Sequence, residues 1–219
     1  MKKKNFDTPK YIERKYVTLL NKLLKPIKKE ALKYTDDISK FKAVLKNASK
    51  SKTYKRKTNE IVKTISTMLL ASNSRSWREA ARKSSRGKEI KKDIEKEIKG
   101  NISKRMEELF KYNATLIETL PLKISEDVIR HINSEAFKGK RSEDISKEIK
   151  KFFPHNSSAS AKLIARTETS KFSSALTQAR SEDLGVYWYV WRTSEDVSVR
   201  SSHKIMEGVL VNYKHPASP

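Results

Sequence analysis

Residues 164–211 read IARTETSKFSSALTQARSEDLGVYWYVWRTSEDVSVRSSHKIMEGVLV, and they hold two of the chain's three tryptophans, Trp188 and Trp191. The reading of the fold starts here, because the hydrophobic period changes inside this run. Leu163, Ile164, Phe172, Ala175 and Leu176 recur at helical intervals, and Gly185 stands where a left-handed residue ends a helix. Residues 186–193, VYWYVWRT, are β-branched and aromatic and predict a strand. Alternation puts Val186, Trp188 and Val190 on one face and Tyr187, Tyr189 and Trp191 on the other. Both faces are apolar enough to be expected under cover.

Beyond the strand, Thr193, Ser194, Glu195 and Asp196 are short polar residues of the kind that satisfy free N–H groups at a turn and helix start. A short helix follows in which Arg200 and His203 share a face, with Lys204 beside them. Gly208 ends it, and residues 209–211 predict a returning strand. The resulting strand, helix, strand unit presents Arg166, Glu168, Asp196, Arg200 and His203 as its polar groups.

The run Ala165, Arg166, Thr167, Glu168, Thr169, followed by Gly185, Trp191, Thr193, Asp196, Arg200, His203 and Gly208, resembles the Mu F-like domain of tailed-phage minor head proteins, also called head morphogenesis proteins. The pattern from Gly139 to Ile145 fits it as well. This resemblance implies a protein that binds the portal, the major capsid protein or both, and assists head assembly or DNA ejection. It implies residence in the host cytoplasm during assembly and then in the head interior near the portal. Where the family commonly has Asp before its glycine, this chain has Glu207, and the family domain usually runs on into a Cys-containing tail, so the domain over 121–219 is expected to be truncated at its C-terminal end.

Composition sets the outer bounds. Of 219 residues 36% are hydrophobic and 34% charged, and the mean hydropathy is -0.75, so modest helical cores are expected and a large single one is not. Basic residues number 49 against 26 acidic, a formal net charge of +23. That imbalance calls for an acidic partner, and nucleic acid comes first, because lysines that neutralise phosphates release counterions. No apolar run approaches the ~20 residues of a membrane span, and cysteine is absent.

Taken in order, Thr8 and Pro9 open a helix whose stripe is Ile12, Tyr16, Leu19, Leu20, Leu23, Leu24 and Ile27, kinked at Pro26. Residues 37–48 and 54–70 supply two amphipathic partners. Residues 72–87 are a polar break that carries Trp77 between Arg75 and Arg78, either plugging the bundle or open to stacking on a base. A long helix is expected over residues 88–120, weakened at Gly100. Pro121 resets the chain, with helices over 125–137 and 142–153 closed by Gly139 and Pro154 and a further helix from Ser157. The expected fold is therefore mainly α: an elongated helical N-terminal arm over residues 1–120 and a small α+β C-terminal domain over 121–219 with short hairpin-like strands. The arm's apolar stripes are expected to stay partly open and to dock the portal.

Three chemistries compete for the polar residues. A metal-free phosphodiesterase would use His203 as general base or acid, Arg166 and Arg200 on phosphate, and Glu168 or Asp196 to orient the imidazole; such a nuclease or toxin-like enzyme is the alternative to a head protein. The same groups also serve as structural ties between helix and strand, an Arg166–Glu168 pair among them. A metal site is not expected, since His131, His155, His203 and His215 lack ligand spacing, and no cofactor is expected either. For sequence-independent contact with double-stranded DNA the candidates are Lys50, Lys52, Lys55, Arg56, Lys57, Arg75, Arg78, Lys91 and Lys92, beside clusters such as Lys2 to Lys4; a plain basic nucleic-acid-binding protein is the remaining reading.

Overall fold

A computed structural model describes residues 8–96, 101–138, 140–193, 197 and 199–216. Among them are eight α-helices and one small antiparallel sheet: α1 Lys10–Ala31, α2 Ile38–Lys50, α3 Lys52–Ala81, α4 Gly87–Lys96, α5 Asn101–Glu118, α6 Leu120–Phe137, α7 Ser142–Asp183, β1 Trp188–Val190, α8 Ser201–Ile205 and β2 Leu210–Asn212. A 3-10 turn at Leu32–Tyr34 links α1 to α2. The mainly α class with a short C-terminal hairpin is as the sequence predicts.

The bundle is built around α7, which packs against α1, α3, α5 and α6. The α1 stripe goes fully inward, with Ile12, Tyr16, Leu20 and Leu24 buried, and it meets Phe41 and Leu45 of α2, Ile65 and Leu69 of α3, Ile117 of α5, and Phe153 and Leu176 of α7. One hydrophobic cluster thus includes residues from both sides of Pro121. Among the described residues, most of the stripes expected to stay open over residues 1–120 are buried by this packing, because six amphipathic helices can face one another. Each fully buried Leu, Ile or Phe side chain contributes about 1.5–3 kcal/mol relative to exposure.

Several boundaries differ from expectation, each for a local reason. Pro9, not Thr8, is the cap of α1: its own carbonyl accepts from Ile12 and Glu13, and no side chain caps the helix. Pro26 lies inside α1 on an exposed position, where water can take the carbonyl that proline leaves without a donor. Pro154 does not close a helix. It sits within the 42 residues of α7, where Ile149 and Phe153 before it and Ser157 and Ala161 after it are all buried. Phe153 meets the Phe41 ring edge-on at 5.0 Å, and Ser157 Oγ donates to the Phe153 carbonyl at 2.7 Å. A proline in a helix interior costs about 3 kcal/mol, and burial of Ile149 and Phe153 before it with Ala161 and Ile164 after it outweighs that cost.

Pro121 falls in the first turn of α6, separated from α5 by Thr119 alone. It divides one helical pattern into two, and Ile117, Leu120 and Ile124 stay in the same core. The polar break expected over residues 72–87 is helical as far as Ala81, since its Asn73, Ser74, Trp77 and Ala81 are buried against neighbours. The chain then turns tightly into α4. A Cβ on Gly87 would lie 2.2 Å from the Ala81 carbonyl oxygen, so only glycine fits there. Gly100 and Gly139, expected to bend and to close helices, lie outside the described residues, as do Lys2 to Lys4.

Candidate functional site

The C-terminal unit is assembled by short-range bonds. Gly185, at φ +70°, turns the chain out of α7, and the Val186 N–H donates to the Ser181 carbonyl at 2.7 Å. Strand β1 pairs with β2 in the register Trp188 with Asn212, Tyr189 with Val211 and Val190 with Leu210. The ladder is extended at its ends by Trp191 N–H to the Val209 carbonyl at 2.8 Å and Tyr213 N–H to the Tyr187 carbonyl at 2.9 Å. Gly208, at φ +81°, donates its N–H to the Trp191 carbonyl at 2.9 Å.

Glu207 ties the root of the connecting loop. Its carboxylate accepts from the Thr193 N–H at 2.6 Å, the Thr193 hydroxyl at 2.9 Å and Arg192 at 2.9 Å. The Thr193 N–H first, then Arg192 and the Thr193 hydroxyl, hold its carboxyl below the usual range. Ser194, Glu195 and Asp196, expected as the N-cap turn, lie outside the described residues. Arg200 takes the cap position of α8 with an exposed side chain, and the His203 ring lies edge-on to Trp191 at 5.6 Å.

The hairpin is partly covered on one side, where Tyr187 and Val209 stay exposed, and open on the other. Val211 is buried and Tyr189 packs on Tyr213 at 4.7 Å, whereas Val186, Trp188 and Val190 are 40%, 53% and 46% exposed. That corrects the expectation of two covered faces: three residues per strand make a sheet too small to be sandwiched.

The motif residues on α7 divide differently. Arg166 is exposed, Thr167 half-buried, Glu168 and Thr169 buried. Glu168 pairs with Lys171 at 3.2 Å, not with Arg166. Tyr16 of α1 donates to Asn113 of α5 at 3.2 Å, and burial, then the charge of Glu168, holds the Tyr16 hydroxyl above its usual range. Among the described residues no hydrogen bond, ion pair or ring contact joins Arg166 or Glu168 to Arg200 or His203. The four candidate catalytic residues are thus split between the bundle and the hairpin.

A buried polar junction escaped the sequence reading. Arg180 of α7 is 4% exposed; it donates to Asn73 Oδ1 and, at 2.6 Å, to Ser74 Oγ, both on α3. Asn73 in turn donates to Thr177 at 2.8 Å. The available signal was position: Arg180 follows Phe172 and Leu176 on the inward stripe of α7, where an arginine requires polar partners.

All nine candidate DNA contacts are exposed. Lys55 lies 3.9 Å from Glu118 and Arg56 3.1 Å from Glu60, while Arg75 donates to the Tyr11 hydroxyl at 2.8 Å. They are not gathered into one patch: Lys52 and Arg75 stand about 35 Å apart along α3 at ~1.5 Å per residue. Trp77 is 8% exposed and packs with Ala81, Ile90 and Leu184, so it plugs the fold and offers no face to a base. An open groove of about 260 Å³ between α5 and α7 is lined by Lys104, Arg105, Glu108, Gln178 and Glu182 among others. Among the described residues no group of three or more His, Cys, Asp or Glu is placed to hold a metal, and no helix is long and apolar enough to cross a membrane.

The family comparison covers this same C-terminal part. The chain is 31% identical over 116 residues to an uncharacterized protein of Haemophilus influenzae, a match that takes in 53% of this chain and 26% of the relative. The chain therefore spans about a quarter of that relative's length. No solved structure matches. Residues 122–218 match the family described as Phage Mu protein F like protein. Over those residues, from α6 through the hairpin, the chain is similar to Mu F-like phage proteins.

Proposed function

We propose that the chain is a minor head protein acting in head morphogenesis, associated with the portal or the major capsid protein and with packaged DNA, and aiding DNA ejection. The observation that carries this reading is the family match over residues 122–218. The net charge of +23 supports the DNA part, since exposed lysines and arginines on α2, α3 and α4 favour contact with the phosphate backbone without reading bases. The weak ion pairs at Lys55 and Arg56 are exposed and contribute little, so those cations stay available. Synthesis in the host cytoplasm and residence in the head interior near the portal follow from the same reading.

The test is to express the full chain during phage assembly and recover particles. Copurification with heads containing portal and capsid protein is the expected result; a chain found only free or on bulk nucleic acid would leave the plain nucleic-acid-binding reading. A nuclease would need Arg166, Glu168, Arg200 and His203 on one substrate, and no contact among the described residues joins them. Duplex cleavage by the wild type that is lost in His203→Ala would reinstate it.

A further inference from the structure

Eight of the twelve exposed large apolar residues among those described lie between residues 186 and 210. The other four, Tyr11, Tyr112, Leu122 and Leu163, are scattered over the helices, and Lys171 covers Tyr112 with its ammonium 5.4 Å from the ring centre. The apolar surface left over after folding is therefore concentrated on the hairpin, where Val186, Trp188, Val190 and Leu210 share one face. Leu210 is 58% exposed and Ile205 of the adjoining α8 79%. Contiguous apolar surface of this kind marks an interaction site more often than isolated residues do.

Among the described residues, nothing pairs with the outer edge of the β1 backbone. Tyr187 and Trp191 carry ladder bonds toward β2, and Tyr189 faces Val211 between them. By antiparallel alternation, the N–H and C=O groups of Trp188 and Val190 point away from β2. A two-stranded sheet is marginal on its own, and a third strand completes it. Charge selects the occupant. The chain carries +23, and Arg200, Lys204 and Lys214 are exposed on the same unit. A second copy would bring like charge to like charge, whereas an acidic segment is attracted.

We propose that the β1 edge and the face formed by Val186, Trp188, Val190 and Leu210 take an extended segment of a partner protein, alternating apolar and acidic side chains, as a third strand. Its apolar side chains cover the exposed face and its carboxylates meet the Arg200, Lys204 and Lys214 rim. The hairpin is then the docking surface that the head-assembly reading requires, and it rests on that reading.

The experiment uses the full chain with two probes: head shells assembled in cells lacking this chain, and a short synthetic peptide alternating valine and glutamate. Val190→Pro removes an outward N–H while sparing the bonds to β2; Trp188→Thr removes apolar cover while keeping a β-forming residue. Both are first checked for wild-type helicity and melting. Wild type should bind both probes, more weakly as salt rises; Val190→Pro should lose about tenfold in affinity, the equivalent of roughly one net hydrogen bond, and Trp188→Thr about tenfold through lost apolar burial. Variants that bind shells and peptide as the wild type does overturn the docking assignment and leave the head-assembly reading standing. Wild type that fails to bind shells at all sinks that reading and the assignment with it. Self-association, or binding of a single-stranded oligonucleotide, that is abolished by Val190→Pro would overturn the acidic protein segment as occupant.

Discussion

The guanidinium of Arg180 on α7 donates into the side-chain carbonyl of Asn73 on α3, and both residues are buried. Two helices more than a hundred residues apart in sequence are thereby fixed in rotation as well as in distance, since the donors of a planar guanidinium reach Asn73 and Ser74 only in one register. Asn73→Ala should destabilise the bundle by about 1.5–3 kcal/mol, the usual value of a hydrogen bond to a charged group. Urea denaturation of the variant checks this; stability within experimental scatter of wild type would show that Arg180 is held by its other contacts.

Glu135 of α6 accepts from Lys138 at 2.7 Å and lies 2.5 Å from Lys140. These two lysines hold its carboxyl down from 4.5 to about 2. A folded value below the unfolded one stabilises the protein above the unfolded value, and that contribution is lost as pH falls through the folded one. Melting of Glu135→Gln should therefore fall below wild type at neutral pH, and the gap should close between pH 4.5 and about 2. A gap independent of pH over that window would assign the loss to packing.

Pro154 is tolerated in α7 and not required by it. Pro154→Ala restores an N–H for the Lys150 carbonyl and removes the ring clash, so it should stabilise the chain by about 1–3 kcal/mol. Thermal melting reads the sign directly. A destabilised variant would mean that the Pro154 ring itself packs in a way alanine cannot replace.

Hydrogen exchange tests the loop root. With Glu207→Gln the Thr193 N–H loses its ionised acceptor, and its exchange should accelerate while the core amides of α7 keep their protection. Unchanged protection at Thr193 would show that the hairpin ladder alone holds the loop.

Duplex binding should fall steeply with salt and show no sequence preference. Replacing Lys52, Lys55, Arg56 and Lys57 by Gln should reduce the salt slope by about 0.9 for each phosphate that is no longer neutralised. An unchanged slope would move the DNA-facing surface elsewhere on the chain.

Much was legible before folding. The change of period at Gly185, the two tryptophans and the glycine at 208 place the strand, helix, strand unit, because a left-handed turn and a β-branched run are local matters. The apolar stripe of α1 was legible for the same reason. Three features were decided only by the tertiary structure. Pro154 and the polar residues 72–81 read as breaks, yet burial against α1, α2 and α7 outweighs their local preference. Arg166 and Glu168 belong to α7 and Arg200 and His203 to the start of α8, and no hydrogen bond, ion pair or ring contact among the described residues joins the two pairs, which the family pattern alone does not tell. Arg180 met Asn73 and Ser74 through a contact with no local signature. Periodicity reports which face of a helix is apolar, and only packing decides what that face, and the polar residues within it, will meet.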